Sequence, residues 1–258
     1  LFNIPLIPHY FATYIVEQPD RIMIQKLIDF GGAALYSIAY TVGGIVKIFI
    51  SALTNTLIPL QYRLLEEKAY RELKRQITTV MLGVSGMIAG LSAVAPEIVL
   101  VLGGEKYRTA VYVMPPVIAS VYFSFLYTLL ANIEFFFDEN RFAMKISLLG
   151  AAVNVLLNFL FIPKFGYVAA AYTTLVCYMI YAVGHFWFVS GIASRKAGER
   201  ILNPVKLLGL GMAVTVLSIA MSLLYPYVIC RYILVGAAVL TGAVQYKRVL
   251  AFLKRMRG

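Results

Sequence analysis

His9, Thr13, Glu17, Asp20 and Arg21 follow one another at intervals of four, four, three and one inside an otherwise apolar run. On a helix that spacing lays them along a single stripe. Tyr40, Gly44, Lys47, Ser51 and Asn55 repeat the device in the next apolar run, each three or four residues from the last. In a bilayer a charged group at mid-depth costs about 2.5–3.5 kcal/mol on insertion scales, so such stripes face a protein interior or a water-filled cavity. Pro5, Pro8 and Pro19 interrupt the first run and free backbone carbonyls, which neighbours or water must then satisfy. That too suits a cavity wall. Glu17 and Arg21 stand in the favourable i, i+4 order and can neutralise each other, leaving Asp20 and Lys47 either as partners or as separate functional charges. A buried ion pair between helices, with no part in transport, fits the same pattern.

The elements that must position these stripes follow from composition. The chain has 258 residues, 61% of them hydrophobic, and a mean hydropathy of +0.81, more apolar surface than a soluble core can absorb. Spanning helices need about 20 apolar residues each. Eight runs qualify: Asn3–Ile28, Ala33–Leu60, Ile77–Ala95, Thr109–Phe137, Ile146–Ile162, Val168–Ser190, Val205–Leu224 and Tyr227–Tyr246. Hydrocarbon leaves no partner for an open backbone, so the expected fold class is all-α, a polytopic transmembrane bundle. The net charge of +11 sits in short connectors and builds no continuous basic face, which excludes nucleic acid as a partner. Cys177 and Cys230 lie in different apolar runs without metal-ligand spacing, so neither a disulfide framework nor a metal site is indicated. The chain starts at Leu1, without an initiator Met or signal-peptide pattern, and reads as one cut upstream.

Basic residues set the expected orientation. One side collects Arg63, Lys68, Arg71, Lys74, Arg75, Arg141, Lys145, Arg195, Lys196, Arg200, Lys206, Lys247, Arg248, Lys254, Arg255 and Arg257; the other has Lys26, Lys106, Arg108, Lys164 and Arg231. Both termini of this stretch are therefore expected to be cytoplasmic. Asn154 and Asn158, at i, i+4, suit hydrogen-bonded helix contacts better than substrate. Gly43-Gly44, Gly150-Ala151-Ala152 and Ala169-Ala170-Ala171 offer small surfaces for close helix approach. Pro115-Pro116 predicts a bend near the outer end of the fourth span.

Four strings carry a family resemblance. They are Pro19–Ile24 followed by Leu35–Tyr40, Leu102–Tyr107, Asn154–Asn158, and Ile162–Gly166 leading into Ala169–Thr173. In order and spacing, over about residues 1–190, they resemble the polysaccharide (O-antigen) flippases of the multidrug/oligosaccharidyl-lipid/polysaccharide exporter superfamily. Ala169 stands where that family often has Gly. The resemblance implies a two-lobe transporter built from parallel repeats. Residues 1–190 would be the second six-helix lobe, 191–258 two additional helices with a basic tail, and the first lobe would be missing upstream. It implies a polyprenyl-diphosphate-linked oligosaccharide as substrate, membrane lipids and the N-terminal lobe as partners, and a bacterial or archaeal cytoplasmic membrane. No cofactor is implied beyond coupling to a proton or sodium gradient. Arg21 and Lys47 become candidate phosphate contacts, with Tyr40, Ser51 and Asn55 beside Lys47 on its stripe. Asp20 and Glu17 become candidate coupling groups, with His9 on the same face.

A drug or organic-cation exporter of the same superfamily is the near rival, but a cavity for cations calls for excess carboxylate. Here Glu17 and Asp20 meet Arg21 and Lys47 in equal number. A membrane enzyme of polysaccharide assembly needs a base or nucleophile with a placed partner, usually in a sizeable loop. The outer connectors are short, and His9 and His185, the only histidines, lie within spans on the basic side, so no enzyme is expected. A pure scaffold has no use for charges that are costly to insert.

Overall fold

The computed structural model describes residues 19–198 and 201–237. His9, Thr13 and Glu17 lie outside the described residues, as does most of the predicted first span. The described chain is a bundle of α-helices with no strand. In order they are α1 (Pro19–Leu27), α2 (Phe30–Glu66), α3 (Tyr70–Ala93), α4 (Ala95–Gly103), a 3₁₀ segment (Glu105–Val113), α5 (Met114–Phe136), α6 (Asn140–Phe165), α7 (Val168–Ile192), a π turn (Ala193–Ala197), α8 (Pro204–Ser222) and α9 (Val228–Ala237). Six of these segments are long and apolar enough to cross a membrane, matching the second to seventh predicted spans. The protein is an all-α polytopic membrane protein. Of the eighth predicted span only α9 is described.

Local signals fix where helices start and stop. Asp29 caps α2, its Oδ1 accepting from the Gly32 amide at 2.7 Å, and Asn203 caps α8 by accepting from the Lys206 amide at 3.2 Å, with Pro204 in the first turn. Gly166 ends α6 at φ +75°, a conformation a side chain resists. Pro115 and Pro116, where a bend is expected, mark the change from 3₁₀ to α-helix within the fourth span. They occupy the first turn of α5, where a missing N–H costs no hydrogen bond, and the chain before them is 3₁₀. The prolines therefore begin the α-helical part of the span.

Burial ranks the helices. Of the apolar window ending in α5, 83% is buried inside the protein, against 33% for α2, α6 and α8. Thus α5 is the central post, packed most extensively on α7 and then on α2, α8 and α3. The outer helices turn Ile45, Ile48 and Phe49 of α2 and Leu149, Leu156 and Phe159 of α6 outward, as lipid-facing helices do. Close approach between α6 and α7 depends on Gly150, where a Cβ would fall 2.0 Å from the Tyr181 ring. The Tyr181 hydroxyl then reaches the Ser147 carbonyl at 2.9 Å. At 37 residues and 1.5 Å each, α2 runs about 55 Å and overshoots a hydrocarbon core of about 30 Å. Its overshoot carries Gln61 and Arg63 at the end where α3 begins.

Candidate functional site

Asp20, at the start of α1, is fully buried. Its Oδ2 accepts from the Tyr36 hydroxyl of α2 at 2.5 Å and from the Thr174 hydroxyl of α7 at 2.7 Å, and its Oδ1 accepts from Asn158 Nδ2 of α6 at 2.6 Å. Asn158 is held in turn: its Oδ1 accepts from Thr173, and its Nδ2 also approaches Asn154 Oδ1 at 3.3 Å. Asn154 closes the ring by donating to Thr174 at 3.4 Å. Four helices thus meet on one carboxylate, and every donor to it is neutral. A buried anion is tolerated only when hydrogen bonds replace its water, and these three do so. The Asn154/Asn158 pair is a helix-bonding device, as its spacing suggested.

The cations are placed differently. Tyr36 stacks on Tyr40 with centroids 5.6 Å apart, and the Tyr40 ring carries the Arg21 guanidinium at 5.1 Å and Lys47 Nζ at 5.4 Å. Lys47 also lies 5.3 Å from the Tyr178 ring and donates to its hydroxyl at 3.3 Å. Its charge acts on Asp20 without touching it. Both cations are half-buried, each held on aromatic faces, an arrangement worth about 0.5–2 kcal/mol per contact. Arg21 Nε finds no hydrogen-bond partner among the described residues. The structure brings together Arg21, Asp20, Tyr40 and Lys47. Ser51 and Asn55 continue the α2 stripe at exposed positions one and two turns beyond Lys47. Of the two alternatives for Asp20 and Lys47, a direct ion pair is not what forms: each takes its own partners.

Sequence reasoning missed the α7 stripe. Thr174, Tyr178, Tyr181 and His185 recur at four, three and four residues, all buried, so one face of α7 lines the interior from the Asp20 cage to the basic end. There His185 Nδ1 lies 2.7 Å from Glu134 Oε1 of α5, both side chains fully buried. The signal was available: Glu134 is a carboxylate inside the apolar run Met114–Phe137. Near the opposite end, Arg231 of α9 is buried and grips Glu97 of α4 with two bonds of 2.5 and 2.6 Å, while Tyr232 adds a third at 2.8 Å. The Arg231 guanidinium holds the Glu97 carboxyl down from its ordinary 4.5 to about 2.

What the geometry defines is a multi-helix membrane protein with polar and ionic groups organised along one internal face. Over 160 residues it is 28% identical to a protein of the Lsg locus of Haemophilus influenzae, covering 60% of this chain and 39% of that protein. Over 196 residues it is 25% identical to an uncharacterized membrane protein of Methanocaldococcus jannaschii, covering 72% of this chain and 38% of that protein. The chain thus spans about two fifths of the length of these curated relatives. No family model matches it, and no solved structure matches it significantly.

Proposed function

We propose that this chain is part of a flippase that carries a polyprenyl-diphosphate-linked oligosaccharide across the cytoplasmic membrane by alternating access. The observation that carries the reading is the division of labour at the front of the bundle. Asp20 is saturated by three neutral donors and sealed, whereas Arg21 and Lys47 are half-buried on a rack of tyrosine rings. The charged groups of this cluster that are not sealed are cations, which suit a diphosphate and repel an organic cation. The family-like strings support the same class, and the uncharacterized membrane protein of Methanocaldococcus jannaschii supports a place in a membrane.

Lys47 supplies the test, in the complete protein. Lys47→Ala removes a costly charge and leaves all three hydrogen bonds to Asp20 intact, so abundance is expected to stay near that of the parent while export of the lipid-linked sugar falls at least about tenfold, the loss of one charge-assisted phosphate contact of about 1.5–3 kcal/mol. Lys47→Arg keeps the charge and is expected to retain most activity. Unchanged export by an abundant Lys47→Ala protein overturns the reading. Drug efflux that depends on Lys47 transfers it to the exporter class.

A further inference from the structure

We propose that Glu134 and His185 form a proton-exchange site at the basic end of the bundle, separate from the Asp20 cage and the Arg21–Lys47 rack. The pair is fully buried, with Glu134 Oε1 and His185 Nδ1 2.7 Å apart. Its other two polar atoms, Glu134 Oε2 and His185 Nε2, are buried without a hydrogen-bond partner among the described residues. The contrast with Asp20 decides what the pair is for. A bare carboxylate sealed with one oxygen unsatisfied is prohibitively costly, and a proton shared with the imidazole removes that charge. Loaded, the pair is neutral overall, with one proton between Oε1 and Nδ1 and one on Nε2, or equivalently a carboxylate against an imidazolium. Released, one proton has gone to water and the remaining imidazole proton sits on Nδ1, donated to the carboxylate, with a net charge of minus one.

The surroundings suit a site that opens and closes. Tyr127 of α5 stacks on His185 with centroids 5.6 Å apart, Phe142 of α6 meets it edge-on at 5.9 Å, and Tyr127 also stacks on Tyr178, the ring that holds Lys47. Glu134 is two residues, about half a helical turn, from the end of α5, and that end is the proposed exit for the proton. Across that exit lies Lys196 of the π turn, which donates to the Phe137 carbonyl at 2.9 Å and pairs with Glu139 at 3.4 Å. Glu139 is the charged group whose field reaches Glu134. From the elements packed on α5 and α7, the charged side chains at this end are Arg63 and Glu66 of α2, Arg71, Glu72, Lys74 and Arg75 of α3, Arg141 and Lys145 of α6, Arg195 of the π turn and Lys206 of α8. All of them except half-buried Lys74 are exposed. From α2, Gln61 reaches α5 at Asn132, two residues before Glu134, and accepts from it at 3.2 Å. One carboxylate and one imidazole are a poor nest for sodium, which wants several oxygens, so the exchangeable ion is the proton.

The proton site stands on this geometry; its coupling to export rests on the flippase reading. A spectroscopic experiment on the full chain in lipid nanodiscs separates the two, because it needs no transport substrate. These 258 residues hold two histidines, so a protein in which every histidine but His185 is replaced by Asn, labelled with ¹⁵N-histidine, reports His185 alone. The expected result is one pH transition of the His185 nitrogens, within the range where circular dichroism shows intact helices. It is matched by an infrared band of a protonated carboxyl that Glu134→Gln abolishes. Lys196→Met is expected to speed proton exchange without moving the midpoint in sodium-free buffer. A His185 signal flat across the range, a carboxyl band that survives Glu134→Gln, or a transition displaced by sodium overturns the proposal. If Glu134→Gln fails to fold, the double variant Glu134→Gln/His185→Asn, which keeps an amide-to-amide contact, replaces it in the infrared measurement.

Discussion

Asp20 and Glu134 are both fully buried carboxylates, and both reach α7, eleven residues or about 16 Å apart along its axis. Asp20 meets hydroxyls and an amide from three other helices, all donors, and its charge is spread over all of them. Glu134 meets one imidazole, and its second oxygen has no hydrogen-bond partner among the described residues. The first arrangement fixes a charge in place and makes it part of the architecture. The second leaves a charge that is cheap only when a proton is present. With burial the same for both, the two sites differ in the number of donors around each carboxylate.

The largest effect expected from this contrast is at Asp20. Asp20→Ala orphans the donors of Tyr36, Thr174 and Asn158, at about 1–3 kcal/mol each and about 3–5 kcal/mol together, because such losses are not additive. Heating the detergent-solubilised protein and measuring what remains monodisperse checks it; a loss under about 1 kcal/mol would break the distinction. Asp20→Asn sets an amide donor among donors and is expected to cost about 1–3 kcal/mol. Glu134→Gln, the same chemical change, is expected to stay within about 1 kcal/mol of the parent, since its amide can still donate to His185 Nδ1. Equal losses in these two variants would erase the comparison. Thr174→Val removes one of three donors and is expected to cost about 1 kcal/mol, near the average of about 0.6 kcal/mol for interhelical bonds in membranes.

The smallest effect belongs to Glu97, a carboxylate paired with Arg231 yet partly open to solvent. Its folded value lies below its ordinary one, so the pair's contribution is fully present above about pH 4.5 and is lost as pH falls toward about 2. Docking of α9, followed by a fluorophore on Cys230 in a Cys177→Ala background, should loosen across that window, and Glu97→Gln should flatten the profile.

Much of this bundle was legible in the amino-acid order. Apolar runs and connectors marked the second to seventh spans, because helix length in lipid is dictated by hydrocarbon thickness and not by packing detail. The stripe from Tyr40 to Lys47 was legible because charge in lipid must face inward. The partners were not. Tyr36 and Thr174 are ordinary residues in apolar helices, and nothing local says that Asp20, 16 and 154 positions away, will collect their hydroxyls. At Pro115-Pro116 the order marked a break in the fourth span, but not that the chain before it is 3₁₀.

The burial of α5 bears on how the chain is made. Helices leave the ribosome in order, so α5 enters the bilayer carrying Glu134 before α7 exists. His185 follows 51 residues later (185 minus 134), about 3–10 s at common synthesis rates of 5–20 residues per second. Asn132 can already bond Gln61 of α2, but Glu134 must wait. The central post thus enters lipid with Glu134 still unpaired, and its final packing is expected to wait until α7 arrives. Chains truncated after Phe165 should leave α5 poorly packed and quickly degraded.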